Sequence, residues 1–233
     1  MEKAYKHLGF FIILLLAVVV WGFYRTYFVL FPSFNGITTV MHFHGAMMLS
    51  WFLLLIVQPF LIRYGKIELH RNVGRLSYVI MPLLIFSIFL MSRGQYLRQA
   101  SEVSHGENVA GIALSFPTIF AFATLYNLAL KNKLRTPYHM RYMISTALLM
   151  LAPGTGRALI IYGGFEGILA VNSALLITEI VTLVLVIYDV IKKNPYKPFL
   201  IALLIFIGLH LIWIGRYTSA WQAVGEKIAQ WLF

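Results

Sequence analysis

The sequence predicts an all-α, polytopic integral membrane bundle of about seven transmembrane helices, and three observations predict it. The first is composition. Of 233 residues, 60% are hydrophobic and only 12% charged, with a mean hydropathy of +0.80. A soluble domain carries about 25% charged residues, so this chain could not cover itself with polar surface in water. A bilayer removes that demand by solvating apolar side chains, provided the backbone bonds internally. The second observation is a series of long apolar runs, and the third is the one-sided distribution of lysine and arginine.

Seven runs can be marked, at 9–31, 38–62, 74–94, 109–130, 138–161, 168–189 and 198–216. Each approaches or exceeds the roughly 20 residues that cross about 30 Å of hydrocarbon. The first is too long for a cleavable signal peptide, and aromatic rather than small residues follow it. The breaks carry turn chemistry, as in Pro32-Ser33-Phe34-Asn35-Gly36, Gly163-Gly164 and Asn194-Pro195-Tyr196-Lys197-Pro198. Residues 1–216 read as a single bundle. Residues 217–233, with Trp221 and Trp231 among polar neighbours, read as a short amphipathic interfacial helix.

Thirteen of the 19 basic residues fall in one alternating set of segments: Lys3, Lys6, Arg63, Lys66, Arg71, Arg75, Lys131, Lys133, Arg135, Arg141, Lys192, Lys193 and Lys197. The other set holds Arg93, Arg98, Arg216 and Lys227, while Arg25 and Arg157 lie inside spans. The positive-inside rule puts the first set in the cytoplasm, the N-terminus inside and the C-terminus outside. The expected location is the bacterial inner membrane, crossed many times. The net charge of +11 is mostly this topological signal and needs no nucleic acid. With no cysteine, disulfides and thiolate metal sites are excluded, so any metal or haem must rest on His, Met or carboxylate.

Ionisable residues inside spans are costly and mark candidate sites. An outer cluster gathers Arg25, His44, Arg157 and His210, and an inner one His70, Arg71, Arg75, His139 and Arg141. Two arginines in the outer cluster face a charge problem, because within the spans Glu179 is the acid that could balance them. An anionic ligand would solve it, haem propionates among the candidates. The alternative is snorkelling to the interface or bonding to backbone carbonyls.

Three function classes follow. In the first, His44 and His210 hold haem b between two imidazoles, Arg25 and Arg157 meet its propionates, and electrons pass to a quinone or a membrane redox partner. His70 and His139 could form a second such site. In the second, Met41, His44 and Met48 share a helix face suited to copper, as soft thioethers with imidazole. Glu179 then serves a proton-coupled small-solute or metal transporter. The plain reading of those methionines is apolar packing. In the third class the histidines only stabilise packing, and the chain is a non-catalytic subunit or assembly factor of a membrane complex. The inner arginines read as positive-inside anchors, with Gly74 permitting close helix approach. Pro153-Gly154-Thr155-Gly156 predicts a kink before Arg157. No Ser-His-Asp order, phosphate-binding glycine loop or zinc-protease motif is present, and the seventh run lacks the lysine of a retinal Schiff base.

Three elements together resemble an uncharacterised family of predicted bacterial membrane proteins, filed as a domain of unknown function. They are a helical His followed by Gln58-Pro59-Phe60-Leu61-Ile62-Arg63, then His70-Arg71-x-x-Gly74-Arg75-x-x-Tyr78, then His139-x-x-Tyr142-Met143 with Arg157 beyond. The family pattern has Trp at Tyr142 and often Arg at Ser145. The resemblance covers roughly 40–160. It implies importance for His44, His70, Arg71, Gly74, His139 and Arg157, and brings no activity. Separately, His44-Gly45-Ala46-Met47 is similar to the His-Gly-x-x-Met stretch of the large subunit of haem–copper oxidases, where the His ligates a haem.

Overall fold

A computed structural model describes residues 6–233, so Lys3 of the basic set lies outside the described residues. Ten α-helices follow one another: α1 (Leu8–Phe23), α2 (Thr39–Arg63), α3 (Ile67–Gly74), α4 (Ser77–Gln99), α5 (His105–Lys131), α6 (Thr136–Leu149), α7 (Leu151–Gly163), α8 (Gly167–Ile191), α9 (Lys197–Ile214) and α10 (Ser219–Leu232). Among the described residues there is no strand. Six helical stretches are long and apolar enough to cross a membrane: Thr39–Arg63, Ile67–Gln99, His105–Lys131, Thr136–Gly163, Gly167–Ile191 and Lys197–Tyr217. At 16 residues α1 is a shorter apolar helix.

The first expected run therefore divides. Helix stops at Phe23, a turn follows, and a 3-10 turn occupies Phe28–Leu30. No proline or glycine stop stands there. Instead the chain is held by tertiary contacts: Tyr27 Oη lies 2.6 Å from His42 Nδ1, and Phe34 packs edge-on against the same imidazole.

The fifth expected run is interrupted at Met150, between α6 and α7. Pro153 lacks the N–H that would bond to the carbonyl four residues back, and its ring crowds that carbonyl, so the break falls just ahead of it. Pro59, Pro82 and Pro117, by contrast, stay inside continuous helices.

Neighbouring helices run antiparallel, as contacts at both ends show. At one end α1 meets α2 (Phe10 on Phe60), α2 meets α3 (Gln58 on His70) and α5 meets α6 (Ala129 on His139). Most of the lysines and arginines gather here, and we call it the basic end. At the far end Trp21 stacks on Tyr162 at 4.9 Å, and Trp213 donates to Asn172 at 2.9 Å.

The α5 and α6–α7 stretches are the most enclosed, and α4 is the most peripheral. Trp51 is fully buried at the centre, donating to Thr146 Oγ1 at 3.1 Å and packed on Phe122 and Tyr126. Tyr126 in turn hydrogen-bonds Ser77 at 2.8 Å, so both buried polar aromatics are satisfied.

Helix α1 is clamped to α7 through glycine. A Cβ on Gly22 would lie 1.9 Å from the Gly154 carbonyl oxygen, so the two backbones touch. The final helix, α10, lays one face on α5. Trp221 and Gln222 donate to the carbonyls of Val109 and Gly106, Gly225 sits against Val109, and Phe233 reaches Phe116. These pairs advance together along both helices, so α10 runs beside the first turns of α5 in the same direction. Trp231 remains 79% exposed on the other face.

Candidate functional site

The polar side chains of the bundle fall into four groups, and the sequence-derived residues distribute among them. At the α8–α9 seam, His210 Nδ1 and Glu179 Oε1 lie 2.9 Å apart and share a proton. Their side chains are 16% and 14% exposed. Glu179 is the middle residue of α8, with 12 residues to Gly167 and 12 to Ile191, which places it ~18 Å from either end. The helices themselves explain the pairing. Asn172 and Glu179 stand seven residues apart, two turns along one face of α8, while His210 and Trp213 stand three apart on α9. The two rungs, Trp213–Asn172 and His210–Glu179, therefore form along one seam.

His44 belongs to a different seam. Its Nδ1 lies 2.9 Å from Ser87 Oγ on α4. Ser87 spends its own hydrogen on the Leu84 carbonyl at 2.6 Å, so it accepts from His44 Nδ1–H. The lone pair of the imidazole is then at Nε2, the tautomer in which histidine ligates a metal. Arg157 is close enough for its charge to act on the imidazole.

These two histidines are not brought to one seam. Helix α2 packs on α1, α3, α4 and α6, whereas α9 packs on α5, α6 and α8. Each ring directs Nδ1 to its own partner helix, Ser87 for His44 and Glu179 for His210. Met41, His44 and Met48 do lie on one continuous helix, and Met48 packs against the core. Among the described residues no group of three or more His, Cys, Asp or Glu is arranged to hold a metal ion.

Two arginines stand at the far end, where α1 meets α7. Arg157 Nη1 donates to the Pro153 carbonyl at 3.2 Å, and its guanidinium carbon lies 4.2 Å from the centre of the Phe23 ring. Arg25 is exposed, 5.6 Å from the ring centre of Tyr162.

At the basic end, the Gln58 carboxamide clasps α3. Oriented to satisfy its neighbours, its nitrogen donates to the His70 carbonyl at 3.2 Å and to His70 Nδ1, while its oxygen accepts from Gly74 N–H at 3.0 Å. His70 thus carries its hydrogen on Nε2. His139 Nδ1–H donates to the Ala129 carbonyl at 2.8 Å, leaving its lone pair on Nε2. The two rings are near enough to interact electrostatically, and their edges are complementary as donor and acceptor. A metal shared between them would first require His70 to change tautomer.

Gly74 is not a close-approach site. A Cβ there would meet only the Gln58 amide at 3.7 Å, and the service of this residue is its backbone N–H. Arg71 is exposed, like Arg75.

Arg141 departs from the anchor expected of it. It is fully buried, its Nε and Nη2 donating to the two carboxylate oxygens of Asp189 at 2.6 and 2.9 Å. A further bond runs from Nη1 to the Pro137 carbonyl at 2.8 Å, and Asn194 donates to Asp189 at 3.2 Å. Glu179 is therefore not the only acid within the spans. Asp189 stands at the last position of the sixth run, where an acid reads as a span end. A buried arginine in the facing run was the signal that could have identified it. Ser87, Gln58 and Asn172 completed the seams without any signal in the sequence beyond being polar residues in apolar runs.

No family model, no curated protein and no solved structure matches the chain.

Proposed function

We propose that this chain is a seven-span protein of the bacterial inner membrane, its basic end in the cytoplasm, which handles protons at Glu179–His210 in coupling to a small solute. The observation that carries this reading is the 2.9 Å hydrogen bond between those two groups at the midpoint of α8. Ionisable pairs at membrane depth are costly and recur in proton relays. As a unit, acid plus imidazole has a state of zero net charge, with one proton shared between them. Gaining a second proton gives an imidazolium beside a neutral acid, and losing the shared one gives a bare carboxylate beside neutral imidazole. Both charged states are penalised by the apolar surroundings. The pair therefore changes protonation only when water or an ionic solute reaches it, which is the requirement for coupling. In this reading α1 completes the odd number of spans, its 16 residues extended towards the far interface by the 24–31 segment.

The test is proton movement into proteoliposomes carrying a pH-sensitive dye, under an imposed pH gradient with the electrical potential collapsed. Glu179→Gln and His210→Gln should each remove the protein-dependent flux, while His105→Ala leaves it intact. Full flux through Glu179→Gln, or no flux above empty vesicles for the native chain, would overturn the proposal.

A further inference from the structure

The acids of the membrane region are spoken for. Glu179 bonds His210, and Asp189 bonds Arg141. Glu226 bonds His105, and Glu107 closes the capping box of α5 with Ser104. Glu68, Glu102 and Glu166 are exposed. Neither Arg25 nor Arg157 forms an ion pair within 4.0 Å among the described residues.

For Arg157 this leaves an imbalance. A guanidinium presents five N–H donors. Arg157 uses one of its donors, on the Pro153 carbonyl, and rests a face on Phe23. An uncompensated cation in an apolar bundle is expensive, and no protein group in reach offsets it. The aromatic platforms fix where the remaining donors sit. Phe23 holds Arg157, and Tyr162 holds Arg25. Tyr162 is itself stacked on Trp21 and donates to the Trp21 carbonyl at 3.4 Å. Both guanidinium groups are thereby pinned across the same α1–α7 seam, whose spacing is set by the Gly22–Gly154 contact.

Arg157 stands six residues before the end of α7 at Gly163, ~9 Å along the helix. Arg25 stands two residues beyond the end of α1 at Phe23. One guanidinium is at the rim and the other just beneath it, at the level where a lipid phosphate or an entering solute is met.

From this we propose that Arg25 and Arg157 form a binding site for a phosphate-class oxyanion at the far end of the α1–α7 seam. Planar guanidinium forks match the paired oxygens of such a group, and charge-assisted hydrogen bonds of this kind are about twice as strong as neutral ones. The oxyanion supplies the negative charge that the bundle itself withholds. The site is separate from Glu179–His210 and does not depend on the proton reading.

The experiment uses the full chain, purified and delipidated in a mild detergent, with two probes. One is radiolabelled inorganic phosphate, read by equilibrium dialysis. The other is phosphatidylglycerol titrated against phosphatidylcholine, read by native mass spectrometry. The native chain should bind one of the two probes. Arg25→Gln/Arg157→Gln should weaken that binding by about tenfold or more, the loss of one charge-assisted contact. Arg75→Gln, exposed at the opposite end, should leave it unchanged.

Saturable lipid binding with no phosphate binding identifies a headgroup, and the reverse identifies a soluble anion. Either supports the site. Arg25→Gln alone and Arg157→Lys, which keeps the charge but loses the fork, serve if the double variant fails to fold. Each should weaken binding measurably. Equal binding by native chain and variants, or no binding of either probe by the native chain, overturns the proposal.

Discussion

Replacing Gly22 with alanine tests the packing on which both the fold and the arginine site depend. The added Cβ would sit 1.9 Å from the Gly154 carbonyl oxygen and 2.6 Å from the carbonyl carbon. Ordinary contact begins near 3.4 Å, so α1 and α7 would have to part by about 1.5 Å, the difference between 3.4 and 1.9. The obstacle is backbone, which no rotamer change removes. Overpacking of this kind costs about 1–3 kcal/mol. Helix propensity returns about 0.5–1 kcal/mol when alanine replaces glycine.

Gly208 on α9 provides the control, because a Cβ there meets nothing within 4 Å. Gly208→Ala should therefore be neutral or stabilising by about 0.5–1 kcal/mol. The two substitutions are chemically identical and are expected to act with opposite sign. At roughly 2–4 °C per kcal/mol for a chain of this size, Gly22→Ala should lower the melting temperature by several degrees. The assay is thermal unfolding in detergent followed by circular dichroism, with both variants and the native chain in the same micelle. A Gly22→Ala protein that melts at or above the native temperature would refute the claim that α1 and α7 meet backbone to backbone.

Two further outcomes follow from individual contacts. Asp189→Asn leaves Arg141 charged and buried without its carboxylate, and should cost about 3–5 kcal/mol in a detergent unfolding titration. Arg141→Met combined with Asp189→Leu should cost less than Asp189→Asn alone, and additive losses would show that the two residues do not act as a pair. At the α10 interface, hydrogen bonds from His105 and then Gln230 hold the Glu226 carboxyl below the usual carboxylate range. A lowered carboxyl contributes stability that is present above the ordinary value near 4.5 and is lost as the pH falls through the folded one. Amide exchange in α10 should therefore quicken below about pH 4.5 in the native chain and show no such step in Glu226→Gln. A step that persists in the variant would assign it to another group.

Much of the architecture is legible in the residues. Apolar run length and the placement of basic residues anticipate an all-helical membrane bundle, because the bilayer imposes one constraint on every residue of a span. Pro153 announces the break between α6 and α7 through its missing donor. The helix after Tyr217 is announced by tryptophans among polar residues. Where α1 stops is not announced, since Tyr24, Arg25 and Thr26 carry no stop signal and the turn depends on Tyr27 meeting His42.

The site residues divide in the same way. That Arg157, His44, Glu179 and His210 are exceptional follows from polarity in an apolar run, which is a property of the sequence alone. Who partners whom does not follow. His44 and His210 match in depth, and depth is what a span position supplies. Their partners are set by which helices are neighbours, and that order is fixed by packing over 31 residues between Glu179 and His210 and 43 between His44 and Ser87. Arg141 makes the same point: four residues after Pro137 it reads as a rim anchor, and only the arrival of α8 beside α6 encloses it with Asp189. Composition thus determined the solvent, the helices and the costly residues, because those are local properties summed along the chain. Tertiary structure decided the pairs, because a hydrogen bond of 2.9 Å depends on the rotation of two helices about their axes, and no single span encodes the face of its neighbour.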